Sequence, residues 1–175
     1  HGTSRGLGDV YKRQGQWIPL VSTLPNQFVK YSFQKNQIPI LQEYKLVRPE
    51  VAIRNHRFDF LLSNKSGKNF FLEVKSVTFV EDGIAKFPDA VTTRGMNHAK
   101  TLTDLVKEGE FAGILFVCQR PDATLFEPMW DIDPMFSNVL FNAYKIGVKV
   151  WCITLNVSQT EISFNKEIPV NFKKK

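Results

Sequence analysis

A mixed α/β sandwich is predicted by three observations. Two strand-like runs, Arg57–Ser63 and Asn69–Lys75, flank a short segment containing Asn64, Ser66 and Gly67, which is the composition of a β-hairpin with turn residues between its arms. The run from Ala112 to Gln119 is almost continuously apolar, as a strand covered on both faces must be. Helix-patterned segments alternate with these strands, so helices lie on the faces of a sheet with parallel neighbours.

The elements follow in order. Residues 1–15 are polar, rich in Gly and Arg and without periodicity, and Asp9–Gln14 resembles a translated adapter, so this leader is expected to be non-native or disordered and to stand outside the domain at 16–175. Trp17–Val21 reads as a short apolar strand. A helix is expected over Pro25–Phe33, because Pro25 suits a first helical position and Phe28, Val29 and Phe33 share a face. Prolines break the apolar stretch from Ile38 to Val47, which reads as irregular chain before a strand at Glu50–Ile53. After the hairpin, Ser76–Val80 extends the strand and Glu81-Asp82-Gly83 turns it. A helix follows to Lys107, burying Ala99, Leu102, Leu105 and Val106 and stopping at Gly109. Asp133-Pro134 is an N-cap and first-residue pair for a further helix that stops at Gly147, and Val148–Leu155 is the next buried strand.

Composition narrows the function. The 175 residues are 43% hydrophobic and 23% charged, the profile of one globular domain, and the net charge of +6 favours a polyanionic partner. No apolar run approaches the roughly 20 residues of a membrane span and no signal-peptide order is present, so a cytoplasmic location without a membrane partner is expected. Cys118 and Cys152 fall in predicted core strands, without metal-ligand spacing or a disulfide framework. No feature fixes an oligomeric state.

The chemistry gathers at the hairpin. A hairpin symmetric about Ser66 pairs Ser63 with Asn69, Phe60 with Leu72, Asp59 with Glu73 and Arg57 with Lys75. Alternation then gives one apolar face (Phe58, Phe60, Leu62, Phe70, Leu72, Val74) and one on which Leu61 and Phe71 accompany the four charges. Directly opposed carboxylates, about 4.5–5.5 Å apart at Cβ, repel. Two arrangements relieve the repulsion. In the first, Asp59 and Glu73 hold a hard divalent cation, Mg²⁺ or Mn²⁺, while Lys75 orients a water or stabilises charge on a phosphate. In the second, Arg57 and Lys75 pair with the acids in an ion network without a metal. Arg94 and His98, one turn apart near a helix start, would grip a phosphate or cap locally. Asp89 is a metal-facing acid or a turn residue. Arg120 and Asp122 lie at a strand end, where they would meet a ligand or pair with each other. Lys173–Lys175 reads as a solvated tail that attracts DNA non-specifically.

These segments also carry a resemblance. Arg57-Phe58-Asp59-Phe60, Leu72–Thr78, Phe87–Gly95 with His98, Gln119–Asp122, Phe126–Pro128, Asp133–Phe136, Gly147–Val150 and Ile168–Val170 together resemble the sugar fermentation stimulation protein family, SfsA, from about Trp17 to Phe172. The resemblance implies a DNA-binding protein linked to regulation of sugar (maltose) utilisation, with a nuclease-like domain of the PD-(D/E)XK class, a restriction-endonuclease-like sandwich. Asp59 then matches the first acid of that class and Glu73-Val74-Lys75 its ExK. Arg57, Arg94, His98 and Arg120 are the DNA-contact candidates. Two departures stand out. The OB-fold part that the family carries first has no counterpart before Trp17. Nor does any Asp or Glu lie between Gln16 and Gln42, where many nucleases of the class have a helix carboxylate; Tyr31 or Gln34 would take that place. The implied function is a metal-dependent DNA endonuclease or, alternatively, a DNA-binding regulator without turnover.

Overall fold

The computed structural model describes residues 22–174 and the backbone of 10–13 and 16–19. Of the leader, 1–9, 14 and 15 lie outside the described residues, as do residues 20 and 21 of the first expected strand. Strands β1 (Val10–Arg13) and β2 (Gln16–Pro19) pair antiparallel. Helix α1 spans Leu24–Lys35, with Pro25 in its first turn and Asn36 closing it in the left-handed conformation, φ 51°. A short 3-10 turn at Pro39–Leu41 precedes β3 (Lys45–Ile53), β4 (His56–Ser63) and β5 (Asn69–Val77). Then come β6 (Phe79–Glu81), β7 (Ile84–Phe87), α2 (Thr93–Lys107), β8 (Phe111–Cys118) and β9 (Leu125–Pro128). The chain ends with α3 (Pro134–Ile146), β10 (Lys149–Val157) and β11 (Ile162–Ile168).

The main sheet has the order β11-β10-β8-β5-β4-β3. Its centre is parallel, β5 to β8 to β10, and its flanks are antiparallel. A smaller sheet, β6-β7-β9, is built from strands of three or four residues. Each face of the main sheet has its own apolar cluster. Phe28 and Val29 of α1 pack on Phe60, Leu62, Phe70, Leu72, Val74, Leu115 and Val117. On the other face, Ala99, Leu102 and Leu105 of α2 and Phe136, Leu140 and Ala143 of α3 meet Phe58, Phe71, Val77, Ile114 and Phe116. This is the predicted sandwich.

Three local expectations are corrected. The stretch read as irregular contributes Leu46 and Val47 to β3, whose pairing slips between Leu46 and Arg48. Pro49 is tolerated there because β3 is an edge strand, free to lack one ladder donor. The segment after Lys75 is not one long strand: β5 ends at Val77 and β6 belongs to the smaller sheet. Finally, Phe58 and Phe60 do not share a face, since Phe58 belongs to the α2 cluster and Phe60 to the α1 cluster. The alternation slips at Asp59. Opposite it in β3 stands Glu50, a non-glycine residue in the left-handed region at φ 53°.

The start of α2 is tied to the start of α3. Thr92 Oγ1 accepts from the Gly95 N–H, capping α2, while the Thr92 N–H donates to Asp133 Oδ2 at 2.8 Å. The other oxygen of Asp133 caps α3 by accepting from the Phe136 N–H. Gly95 is required by contact, because a Cβ there would lie 2.8 Å from Thr92 Oγ1 and 3.3 Å from the Phe136 ring.

Candidate functional site

The expected hairpin register holds from Ser63–Asn69 to Phe60–Leu72. Beyond that pair the β4–β5 ladder stops, and the Asp59 side chain fills the gap. Its Oδ2 accepts from the Val74 N–H at 2.7 Å, replacing a strand-to-strand bond, and its Oδ1 accepts from Asn26 Nδ2 on α1 at 2.6 Å. Asp59 also lines a cleft of about 240 Å³ with Asn26, Gln27, Lys30, Pro49, Glu50 and Phe60.

Glu73 points to the α2 face. Only 3% exposed, it takes both its donors on a single oxygen: Lys75 Nζ and His98 Nδ1 each lie 2.6 Å from Oε1. Oε2 is buried and, among the described residues, has no hydrogen-bond partner. Burial alone would push the Glu73 carboxyl up, but the His98 bond and the Lys75 ammonium outweigh it, and the group is held below the ordinary glutamate range. Asp59 goes the other way. Burial first, and then the negative charge of Glu73, push it up to about 6, against the opposing pull of the Val74 and Asn26 bonds and of Lys75. Neighbouring acids are thus driven apart in proton affinity.

The other sequence-derived candidates divide into two groups. Arg57, Arg94 and Asp89 are exposed, and among the described residues none of them forms an ion pair. Arg94 stands one helical turn before His98 at the α2 start. His98 and Arg120 are each only 3% exposed, which corrects their reading as DNA-facing groups. His98 is committed to Glu73. Arg120 donates to both oxygens of Asp122 and to the Val80 carbonyl, the mutual pairing that the sequence left open. The basic tail is not wholly free in solvent, since Lys174 Nζ lies 5.8 Å from the centre of the Trp130 ring.

Sequence reasoning missed Asn26. Tyr31 and Gln34 are exposed, and the α1 residue that reaches Asp59 lies in the helix's first turn. An amide among several polar residues of a helix carries no mark of its partner 33 positions away.

The donor set suits a hard divalent cation. Asp59 and Glu73 offer oxygens only, and the bare, buried Oε2 is a polar atom that costs free energy until something positive meets it. Among the described residues no group of three or more His, Cys, Asp or Glu is placed to hold an ion, so other coordination positions would fall to water, backbone or substrate oxygens, as is usual for Mg²⁺.

Comparison with known proteins follows the same lines. A family model described as "Sugar fermentation stimulation protein RE domain" matches residues 23–161. The chain is 37% identical over 158 residues to the sugar fermentation stimulation protein homolog of Clostridium tetani, covering 90% of this chain and 69% of that one. With the homolog of Geotalea daltonii it shares 39% identity over 160 residues, 91% of this chain and 69% of that one. Among solved structures, Pyrococcus furiosus SfsA in complex with Ca²⁺ aligns with a TM-score of 0.86 and 26% identity over 94% of this chain and 71% of that one. The sandwich is the restriction-endonuclease-like fold of that relative, and among the described residues no helix is long and apolar enough to cross a membrane. With its family model matched across most of the domain and its fold shared, the chain belongs to the sugar fermentation stimulation protein family.

Proposed function

We propose that this chain is a DNA-binding protein whose Asp59 and Glu73 hold a divalent cation, Mg²⁺ or Mn²⁺, for hydrolysis of phosphodiester bonds. The observation that carries the reading is the bare buried Oε2 of Glu73, beside an acid coupled to it by charge and a lysine two residues along the strand. A bound cation would supply Lewis acidity and neutralise phosphate charge. The chain's own residues do the rest. Val74 N–H and Asn26 orient Asp59, His98 and Lys75 keep Glu73 ionised, and the Lys75 ammonium, partly exposed, stabilises charge developing on a phosphate. Exposed Arg94 and Arg57, together with Lys30 at the Asp59 cleft, are the cations available to backbone phosphates. The Ca²⁺ held by the Pyrococcus relative supports a divalent site in this fold.

Plasmid nicking with Mg²⁺ or Mn²⁺ tests the enzyme. The native chain should nick and Lys75→Ala should lose most of that activity; equal nicking, or none from either, sinks the enzymatic reading. Binding to duplex DNA should weaken steeply with salt, each neutralised phosphate adding about 0.9 to the log–log slope.

A second reading has an observation of its own. The α1 residue that meets Asp59 is an amide, Asn26, where an acid would add a further ligand. A DNA-binding regulator of sugar metabolism that keeps the fold without turnover fits that substitution. Salt-dependent DNA binding without nicking would select it.

A further inference from the structure

A carboxylate has two oxygens with room for about four hydrogen bonds. Among the described residues Glu73 receives two donors, both on Oε1, and Oε2 is left bare, although spreading them would satisfy both oxygens. The two donors differ in freedom. Lys75 is a long, flexible side chain entering from the partly exposed side, and it can follow either oxygen. His98 cannot. Its ring stands at 60° to Phe58 with centroids 5.4 Å apart, and at 79° to His56 at the same separation. Its helix is anchored by the Thr92 cap, the Thr92–Asp133 bond and the close packing at Gly95. The Nδ1 position is therefore fixed by the fold, and Glu73 must turn to meet it.

We propose that His98 is the positioning residue of the site: by donating from Nδ1 to Oε1 it holds the Glu73 carboxylate in the one orientation that leaves Oε2 for a divalent ion. This rests on the reading of Asp59 and Glu73 as an ion-holding pair. Because Glu73 is the charged acceptor, the Nδ1 nitrogen carries the proton. His98 is not itself a ligand. It acts one step behind the ligand, where loss of an orienting hydrogen bond typically costs 10–100-fold in metal affinity.

The experiment compares the native chain with His98→Asn, which keeps a donor near the Nδ1 position, and His98→Phe, which keeps a ring against His56 and Phe58 and removes the donor. Mn²⁺ affinity is measured by calorimetric titration, with melting temperature recorded alongside, and the His98 tautomer is read from long-range ¹H–¹⁵N spectra of the ion-free native chain. His98→Phe should weaken Mn²⁺ binding about 10-fold or more. His98→Asn should stay close to native even if it melts earlier. Native affinity in His98→Phe, or equal losses in both variants, would overturn the assignment. If the native chain takes up no Mn²⁺, the ion-holding reading fails on its own. The spectrum still decides the orientation: a protonated Nδ1 that shifts in Glu73→Gln supports it, and an unprotonated Nδ1 overturns it. The same spectrum serves if His98→Phe does not fold.

Discussion

Asp59 and Glu73 are carboxylates on neighbouring strands, and the fold treats them in opposite ways. Glu73 lies on the α2 face among positive or proton-donating groups, Lys75 and His98, and stays ionised below the ordinary range. Asp59 fills the gap where β4 and β5 part, held by the neutral donors Val74 N–H and Asn26, and binds its proton up to about pH 6. What separates them is the balance of burial and partners: at Glu73 the His98 bond and the Lys75 ammonium outweigh burial, whereas at Asp59 burial and the charge of Glu73 outweigh the Val74 and Asn26 bonds and Lys75. Repulsion alone would treat the two acids alike and make removal of both harmless. The observed partners give the two removals opposite signs.

The largest expected effect is therefore on the Glu73 side. Glu73→Gln leaves the Lys75 ammonium, only 14% exposed, without its counter-charge, and should destabilise the native chain by about 3 kcal/mol near neutral pH in urea unfolding. Because the Glu73 carboxyl is held below 4.5, its contribution is fully present above that pH and is lost as pH falls through its lower folded value. A neutral or stabilising Glu73→Gln would show that Lys75 and His98 do not hold the charge.

The next effect runs the other way. The folded Asp59 carboxyl holds its proton up to about 6 against an ordinary 3.8, so stability from this group is present below 3.8 and is lost as pH rises to about 6 and beyond. Asp59→Asn should thus be more stable than the native chain at pH 7 to 8, by something on the order of 1–3 kcal/mol, and should lose that advantage below about pH 4. Melting curves at the two pH values check it, and a variant less stable at both would contradict it.

The smallest effect sharpens the comparison. Asn26→Ala removes a bond that lowers the Asp59 value, so the Asp59 carboxyl should titrate higher still in ¹³C spectra while the fold loses about 1 kcal/mol. An unchanged titration would mean that α1 does not reach the acid in solution.

Much of this arrangement was legible in the sequence because it is local. Turn residues around Ser66 fix the hairpin register, and Asp133-Pro134 announces a helix that does begin at Pro134. What was not legible depends on distance. The slip at Asp59 arises where a side chain takes over the Val74 N–H, and Asn26 reaches that acid from another layer of the fold. His98 and Arg120 are charged or polar types normally found outside, and only the packing of α2 against β4, or of the β8 end against Asp122, reveals that both are buried. Strands β7 and β9 are four residues each, too short for alternation to announce them. β11, seven residues long with an intermediate burial pattern, offers no clean apolar face.

Whether Asp59 and Glu73 together hold a divalent ion is tested most directly by the Mg²⁺ dependence of the melting temperature above pH 6. An ion that binds only the folded chain adds about 2.7 kcal/mol of stability at one hundred times its dissociation constant. The native chain should melt higher as Mg²⁺ rises, and the double variant Asp59→Asn/Glu73→Gln should melt at a temperature independent of Mg²⁺. A native melting temperature that ignores Mg²⁺ and Mn²⁺ alike, or an equal rise in both chains, would contradict the account.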